Sequence, residues 1–310
     1  MKNKKISATI AILFTIFFWG ISASSNKIAL REVPPATLAL MRFVIASLFL
    51  AIINLKVNSG VKINSVDRKR IVLCGLIGVS VYFIFENYGL RLISASNSTI
   101  LLASIPLFTV AIEAIIYKKP IGYKKMIGVC LSLIGVILVI GNSISVNTNL
   151  QEITGSLLII GAALSWAIYS ILNKPLEGKY PTIVLTLKQG IYGAVFLTPF
   201  ALFERGQWQS ISLISWINIL YLALFCSALC YFLYLYALKH LGASQTNVYI
   251  NLMPFIGVIA AFVLLGERLY LLQLLGGIVI LSGIFIVNNS RDKETIKATE
   301  IAAEVSNKSA

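Results

Sequence analysis

The sequence predicts an all-α integral membrane protein of ten transmembrane helices, arranged as two inverted five-helix repeats with both termini cytoplasmic. Three observations predict it. First, 58% of the 310 residues are hydrophobic and only 12% are charged, against roughly 45–50% and about 25% in soluble chains, so polar residues are too few to coat a soluble fold. Second, ten apolar stretches come close to the span of a bilayer, about 20 residues of helix each. Third, the second half of the chain repeats the first.

The spans read in order as Ala8–Ile28, Ala36–Leu55, Ile71–Leu92, Ser96–Tyr117 and Tyr123–Ile140, then Ile153–Asn173, Thr182–Phe203, Leu213–Leu238, Ser244–Leu265 and Tyr270–Val287. The first follows Lys2, Lys4 and Lys5 and so has the outline of a signal peptide, but its internal copy marks it as a retained helix. Short loops leave no room for a soluble domain. The units are residues 7–141, an outer linker 142–152, residues 153–289 and a polar tail 290–310.

Orientation follows from charge. With the N-terminus inside, nineteen Lys and Arg fall on inner segments and the tail, against five outside (Lys27, Arg31, Arg91, Arg205, Arg268). That asymmetry matches the positive-inside rule. The net charge of +14 is thereby a topology signal, and nucleic acid is not an expected partner. The expected surroundings are the lipid bilayer of the cytoplasmic membrane.

The repeat is read by laying residues 88–108 over 236–256. Tyr88-Gly-Leu-Arg-Leu-Ile-Ser-Ala-Ser aligns with Tyr236-Ala-Leu-Lys-His-Leu-Gly-Ala-Ser, and without a gap Pro106 meets Pro254, Gly128 meets Gly276 and Gly135 meets Gly283. One residue out of that register, Trp19 meets Trp166, Asn26-Lys27 meets Asn173-Lys174 and Pro34 meets Pro181. Five helices per unit is an odd number, so the second copy enters the membrane from the opposite side. Inverted repeats of this kind build secondary transporters, whose substrate sites lie near the midplane between the halves. Duplication used only for helix packing is the alternative.

The same residues carry a family resemblance. Phe18-Trp19-Gly20, Pro34 followed by Leu40-Met-Arg42-Phe, the Tyr236 segment, and Pro254 followed by Leu265-Gly-Glu-Arg268 resemble EamA-type members of the drug/metabolite transporter superfamily. The likeness covers all but the tail. It implies a ten-helix exporter of amino acids or related metabolites that works without ATP, and it names no compound. The first half departs from the pattern at Lys119, which stands where the second has Glu267.

Polar residues within spans tend to face a bundle interior, because an unsatisfied polar group in hydrocarbon costs several kcal/mol. Helical spacing groups Trp19, Ser22 and Asn26, and in the second repeat Trp166, Tyr169 and Asn173. Tyr82 shares a face with Glu86, Cys230 with Tyr234, and Asn247 with Asn251. As cavity walls these would offer aromatic rings to stack on a substrate and amides and hydroxyls to orient it. Interhelical hydrogen bonding without a ligand is the other reading. Pro106 and Pro254 are expected to kink their helices or free a carbonyl. Gly128 with Gly135, and Gly276 with Gly283, are expected to let helices approach closely within each repeat, with dimerisation as the second reading.

Four charges, Arg42, Glu86, Glu113 and Lys188, lie four or more residues from either end of their spans. At 1.5 Å per residue, Arg42 sits about 9 Å below the outer face and Glu86 about 8 Å below it, in a core about 30 Å thick. Lys188 and Glu113 sit about 9 and 6 Å above the inner face. Matched depths predict an outer pair Arg42–Glu86 and an inner pair Glu113–Lys188; the alternative is that Arg42 and Lys188 snorkel to the nearby interface and the glutamates reach water. A carboxylate released from its partner makes a proton a candidate coupling ion.

Enzyme chemistry is not expected. His240 is the single histidine and falls at the end of a span, which excludes a Ser–His dyad or a His-based metal site at cavity depth. No Gly-x-x-x-x-Gly-Lys-Ser/Thr loop is present, so no ATP engine is expected. No cofactor and no metal are expected. The four cysteines fall within spans and read as packing residues. The expected function is therefore secondary transport of a small-molecule substrate; a membrane-embedded enzyme or a nonselective channel are the rivals.

Overall fold

The computed structural model describes residues 2–57, 61–117, 122–146, 150–176, 178–250, 252–268 and 270–286. Regular structure among them is helical. The helices are α1 (Lys2–Ala29), α2 (Pro35–Val57), α3 (Ser65–Leu92), α4 (Ala95–Leu102), α5 (Ile105–Tyr117) and α6 (Tyr123–Val146), followed by α7 (Leu150–Asn173) and α8 (Thr182–Phe203). Next comes α9, which runs through Leu213–Leu220, Tyr221–Leu229 and Cys230–Ile250, then α10 (Met253–Leu265) and α11 (Leu271–Ile286).

Seven of the described helical stretches are long and apolar enough to cross a membrane: α1, α2, α3, α4 taken with α5, α7, α8, and α9 as far as Leu241. The apolar stretches of α6 (Met126–Val139), α10 and α11 are shorter. Large apolar side chains such as Leu48, Ile52, Val195 and Ile259 point outward, as lipid-facing residues must.

Two irregularities fall at positions the sequence repeat equates. The offset that lays Tyr88 on Tyr236 lays the π segment Leu76–Val81 of α3 inside the π segment Tyr221–Leu229 of α9. It also lays the break between Leu102 and Ile105 on the break between Ile250 and Met253. A π turn leaves backbone carbonyls without their usual helical donors. A side chain from elsewhere reaches one such carbonyl, Trp19 Nε1 donating to Cys226 O at 3.0 Å, while Ser80, within the first π segment, donates from Oγ to Gly193 O of α8 at 2.9 Å.

One expected boundary is absent. The sequence reading ends a span at Leu238 and opens the next at Ser244, but Cys230–Ile250 is one helix. In the first half, the corresponding corner at Ile93 is followed by Ser94, whose hydroxyl caps α4 by accepting from Asn97 N. Gly242 stands at the equivalent position and has no side chain with which to start a new helix.

The major contacts join the halves: α2 packs on α8, α1 on α9 and α10, and α3 on α7 and α8. Carboxylates from one half also cap helices of the other. Glu204 accepts from Ala36 N, Thr37 N and Thr37 Oγ1 at 2.7–3.0 Å at the start of α2. Glu267 accepts from Ala95 N, Ser96 N and Ser96 Oγ at 2.8–3.0 Å at the start of α4. Unpaired N–H groups and the helix dipole favour a negative charge at both places.

The glycine pairs are a correction to the sequence reading. They pack across the halves, not within each repeat. A Cβ on Gly135 would lie 2.7 Å from Gly276 O, and one on Gly276 would lie 2.8 Å from Gly135 O. Gly283 meets Gly128 and Ser132 in the same crossing of α6 and α11, and Ser132 Oγ donates to Ile280 O at 3.0 Å. Their spacing shows which face is small but not which helix will fill it.

Candidate functional site

A cavity of about 80 Å³ lies between the halves, enough by the same measure for several waters or a small solute. Trp19, Ser22, Tyr82, Glu86, Trp166 and Tyr234 line it. Six aromatic rings stand in its wall. Trp19 meets Trp166 edge to face at 5.6 Å, Tyr231 at 5.7 Å and Tyr234 at 5.4 Å between ring centroids. Trp166 continues the array to Tyr82 at 5.1 Å. Such geometries suit the ring quadrupoles.

Arg42 and Glu86 bring charge to this apolar box. Both line the cavity, and both are nearly inaccessible, at 3% and 6% exposure. They do not form the expected pair: the described ion pairs, taken within 4.0 Å, include none between them. Arg42 instead donates from Nη1 to Asn26 Oδ1 at 3.3 Å and lies 4.5 Å over the Phe83 ring. Glu86 Oε1 accepts from Tyr82 OH at 3.3 Å. Helix rise sets equal depth, but other partners hold each group: Tyr82 one turn away for Glu86, and Asn26 of α1 with Phe83 of α3 for Arg42. Arg42 Nε and Glu86 Oε2 are left without hydrogen-bond partners, a costly state for buried polar atoms.

Asn26 and Tyr169 do not line the cavity but stand behind its wall. Asn26 Nδ2 donates to Asn87 Oδ1 at 2.8 Å, and Asn87 Nδ2 donates to Pro35 O at 2.9 Å. The second half repeats the motif with different chemistry. Gln189, the counterpart of Arg42, donates to Asn173 Oδ1 at 2.8 Å and accepts from Tyr169 OH at 2.9 Å. The side chain of Asn247, the whole of Asn251, Lys119 and the tail 290–310 lie outside the described residues.

Pro106 and Pro254 also require correction. Neither kinks a continuous helix. Each is the second residue of a new helix, α5 or α10, that begins after a break. In a first turn the missing N–H is not needed and the fixed φ suits the helix. Both prolines line the cavity, so two helix starts open onto it. The spacing of polar residues missed several lining residues. Thr99, Ala103 and Thr109 surround the break after Leu102, and Tyr231 is the repeat counterpart of Phe83. The repeat alignment could have found Tyr231; nothing in the sequence marked the break.

The second expected ion pair is replaced as well. Glu113 pairs with Lys174 at the end of α7, and Lys188 lies in a separate pocket against α3. Rise along a helix sets depth but not direction, and Lys188 shares its pocket with Arg68 and Ile71 of α3. At the same end of the bundle Asp67 is engaged by Lys179 and by Tyr180 OH, the latter at 2.7 Å. At the opposite end Lys27 Nζ donates to Leu90 O at 2.9 Å and to Ile93 O.

Among the described residues no three His, Cys, Asp or Glu side chains come together as a metal site. Cys226 and Cys230 point their sulfurs at the Phe18 and Thr15 carbonyls of α1, at 3.6 and 4.0 Å. That is a packing role.

Comparison with known proteins places this arrangement among others. The model of the EamA-like transporter family matches residues 6–141 and again 153–289. An uncharacterized transporter of Archaeoglobus fulgidus is 29% identical over 91% of this chain and 99% of its own length. The uncharacterized transporter YdfC of Bacillus subtilis is 28% identical over 92% of each chain. A probable terminal-alkyne amino-acid exporter of Streptantibioticus cattleyicolor is 26% identical over 92% of this chain and 94% of its own. A crystal structure with 17% identity superposes with a TM-score of 0.64, over 91% of this chain and 98% of that one, and so shares the fold.

Proposed function

The chain belongs to the EamA-like transporter family, and on that footing we propose that it is a secondary transporter exporting small metabolites such as amino acids across the cytoplasmic membrane by alternating access. The observation that carries this reading is the aromatic cavity between the halves, onto which two repeat-related helix breaks open. Interrupted helices meeting at a central cavity are how secondary transporters present polar backbone to a solute inside a membrane.

The reading includes ten spans in two inverted units, with both termini in the cytoplasm. Contacts at the counterpart residues Lys27 and Lys174 support inversion: one is bonded at the C-terminal end of α3, the other near the C-terminal end of α5, at opposite ends of the bundle. The aromatic box would hold the apolar part of a solute, and Arg42 and Glu86 its polar groups. Glu86, with one oxygen unpartnered, is the residue through which a proton would couple. The name of the Streptantibioticus relative supports an amino-acid-like substrate.

A resistance screen tests the assignment. Cells expressing the protein should survive toxic amino-acid analogues that inhibit cells lacking it. If no analogue in a broad panel is tolerated better, and none competes for transport, the amino-acid assignment fails.

A further inference from the structure

Of the charges Arg42, Glu86, Glu113 and Lys188, Lys188 is left outside both the cavity and the described ion pairs. It sits two turns into α8, is exposed, and opens onto a pocket of about 420 Å³ between α8 and the start of α3. Lys62 and Arg68 line the same pocket, also exposed, as do Tyr192 and the apolar Ile63 and Ile71. None of the three cations forms an ion pair within 4.0 Å among the described residues. Asp67, adjacent to Arg68 in sequence, is already taken by Lys179 and Tyr180. Three like charges around one pocket, without a counter-charge among them, give it a positive potential that attracts an anion.

The surroundings say which anion. The pocket lies at one end of the bundle, beside the helix starts, where headgroups of a bilayer lie. Above Lys188, one and two turns along the same face of α8, Ile191 and Val195 are exposed, at 38% and 60%. We propose that this pocket binds the phosphate of an anionic glycerophospholipid, with Lys62, Arg68 and Lys188 on the phosphate and the acyl chains lying along Ile191 and Val195. Basic pockets between membrane helices recognise lipid headgroups in this way. A soluble phosphate would use the same cations but would have no use for the apolar strip.

Lipid retention on the full-length protein, purified in detergent, tests this without any transport assay. Native mass spectrometry would compare dioleoyl phosphatidylglycerol with dioleoyl phosphatidylcholine, which share their chains and differ in net charge. Wild-type protein should retain phosphatidylglycerol preferentially. Lys188→Gln should weaken that preference about fivefold, the value of one cation beside an anionic headgroup, and Arg68→Gln should do the same. Lys239→Gln, exposed on α9 and outside the pocket, should leave it unchanged. Equal retention of the two lipids by wild-type protein would overturn the proposal, and that comparison needs no variant to fold. So would an unchanged preference in both pocket variants. Displacement of phosphatidylglycerol by millimolar inorganic phosphate would overturn the lipid assignment in favour of a soluble anion.

Discussion

Trp19 and Trp166 occupy equivalent positions in the two halves of the sequence and touch each other in the folded chain, edge to face, with ring centroids 5.6 Å apart and planes at 90°. A residue and its own duplicate thus form the centre of the cavity wall. Each half supplies one ring, so a movement of one half against the other would change that contact.

Replacing either tryptophan should therefore disable transport before it disables folding. Trp19→Ala and Trp166→Ala are each expected to reach the membrane and to lower the transport rate about tenfold, equivalent to about 1.4 kcal/mol. Uptake into inverted vesicles, normalised to membrane-inserted protein, checks this. Normal rates in both variants would remove the rings from the transport path.

Arg42 can be tested with the residue its counterpart already uses. Gln189 makes to Asn173 the bond that Arg42 makes to Asn26, so Arg42→Gln should fold and insert at wild-type levels. Transport should nonetheless fall about tenfold, because the variant loses the buried charge facing the cavity while keeping the link to Asn26. Arg42→Leu, which loses both, should also reduce the amount of folded protein. Equal transport by Arg42→Gln and wild type would make Arg42 a purely structural residue.

The α6–α11 crossing makes a stability prediction. A methyl group on Gly135 would press on the backbone of Gly276 and Ile280, which cannot rotate away. Gly135→Ala should destabilise the protein by about 1–3 kcal/mol, read as a lower melting temperature in detergent. Gly206→Ala, where a Cβ would meet nothing within 4 Å, should not.

A fourth prediction uses Glu32, in the loop after α1. The Ser212 backbone N–H donates to its Oε2 at 2.8 Å, and that bond, with help from the Ser215 and Ser212 hydroxyls, holds the carboxyl below its ordinary value of 4.5. A depressed folded-state value contributes stability above the unfolded pKa and loses it as pH falls through the folded one. The difference in melting temperature between wild type and Glu32→Gln should thus be constant near neutrality. It should shrink once the pH drops below the ordinary carboxylate range. A difference that grew on acidification would contradict the sign.

Much of this was legible in the sequence because membrane helices obey simple periods. Helical spacing and the repeat grouped Trp19, Ser22 and Asn26 with Trp166 and Tyr169; the first two and Trp166 stand in the cavity wall, and Asn26 and Tyr169 behind it. What sequence spacing could not supply was direction around a helix axis and the place where a helix ends. Glu113 and Lys188 match in depth yet point to different neighbours. Pro106 and Pro254 look like mid-helix residues until the breaks before them are seen. The glycines announce a tight crossing, and only the fold names the partner helix.

Counterflow in proteoliposomes tests the central claim most directly. Vesicles containing the purified protein would be loaded with millimolar unlabelled amino acid and diluted into a trace of labelled solute. A secondary transporter predicts transient accumulation of label above equilibrium, saturating with solute concentration and greatly reduced in Trp19→Ala. Label that only equilibrates at a rate linear in concentration, for every solute transported at all, would contradict alternating access and leave a channel in its place.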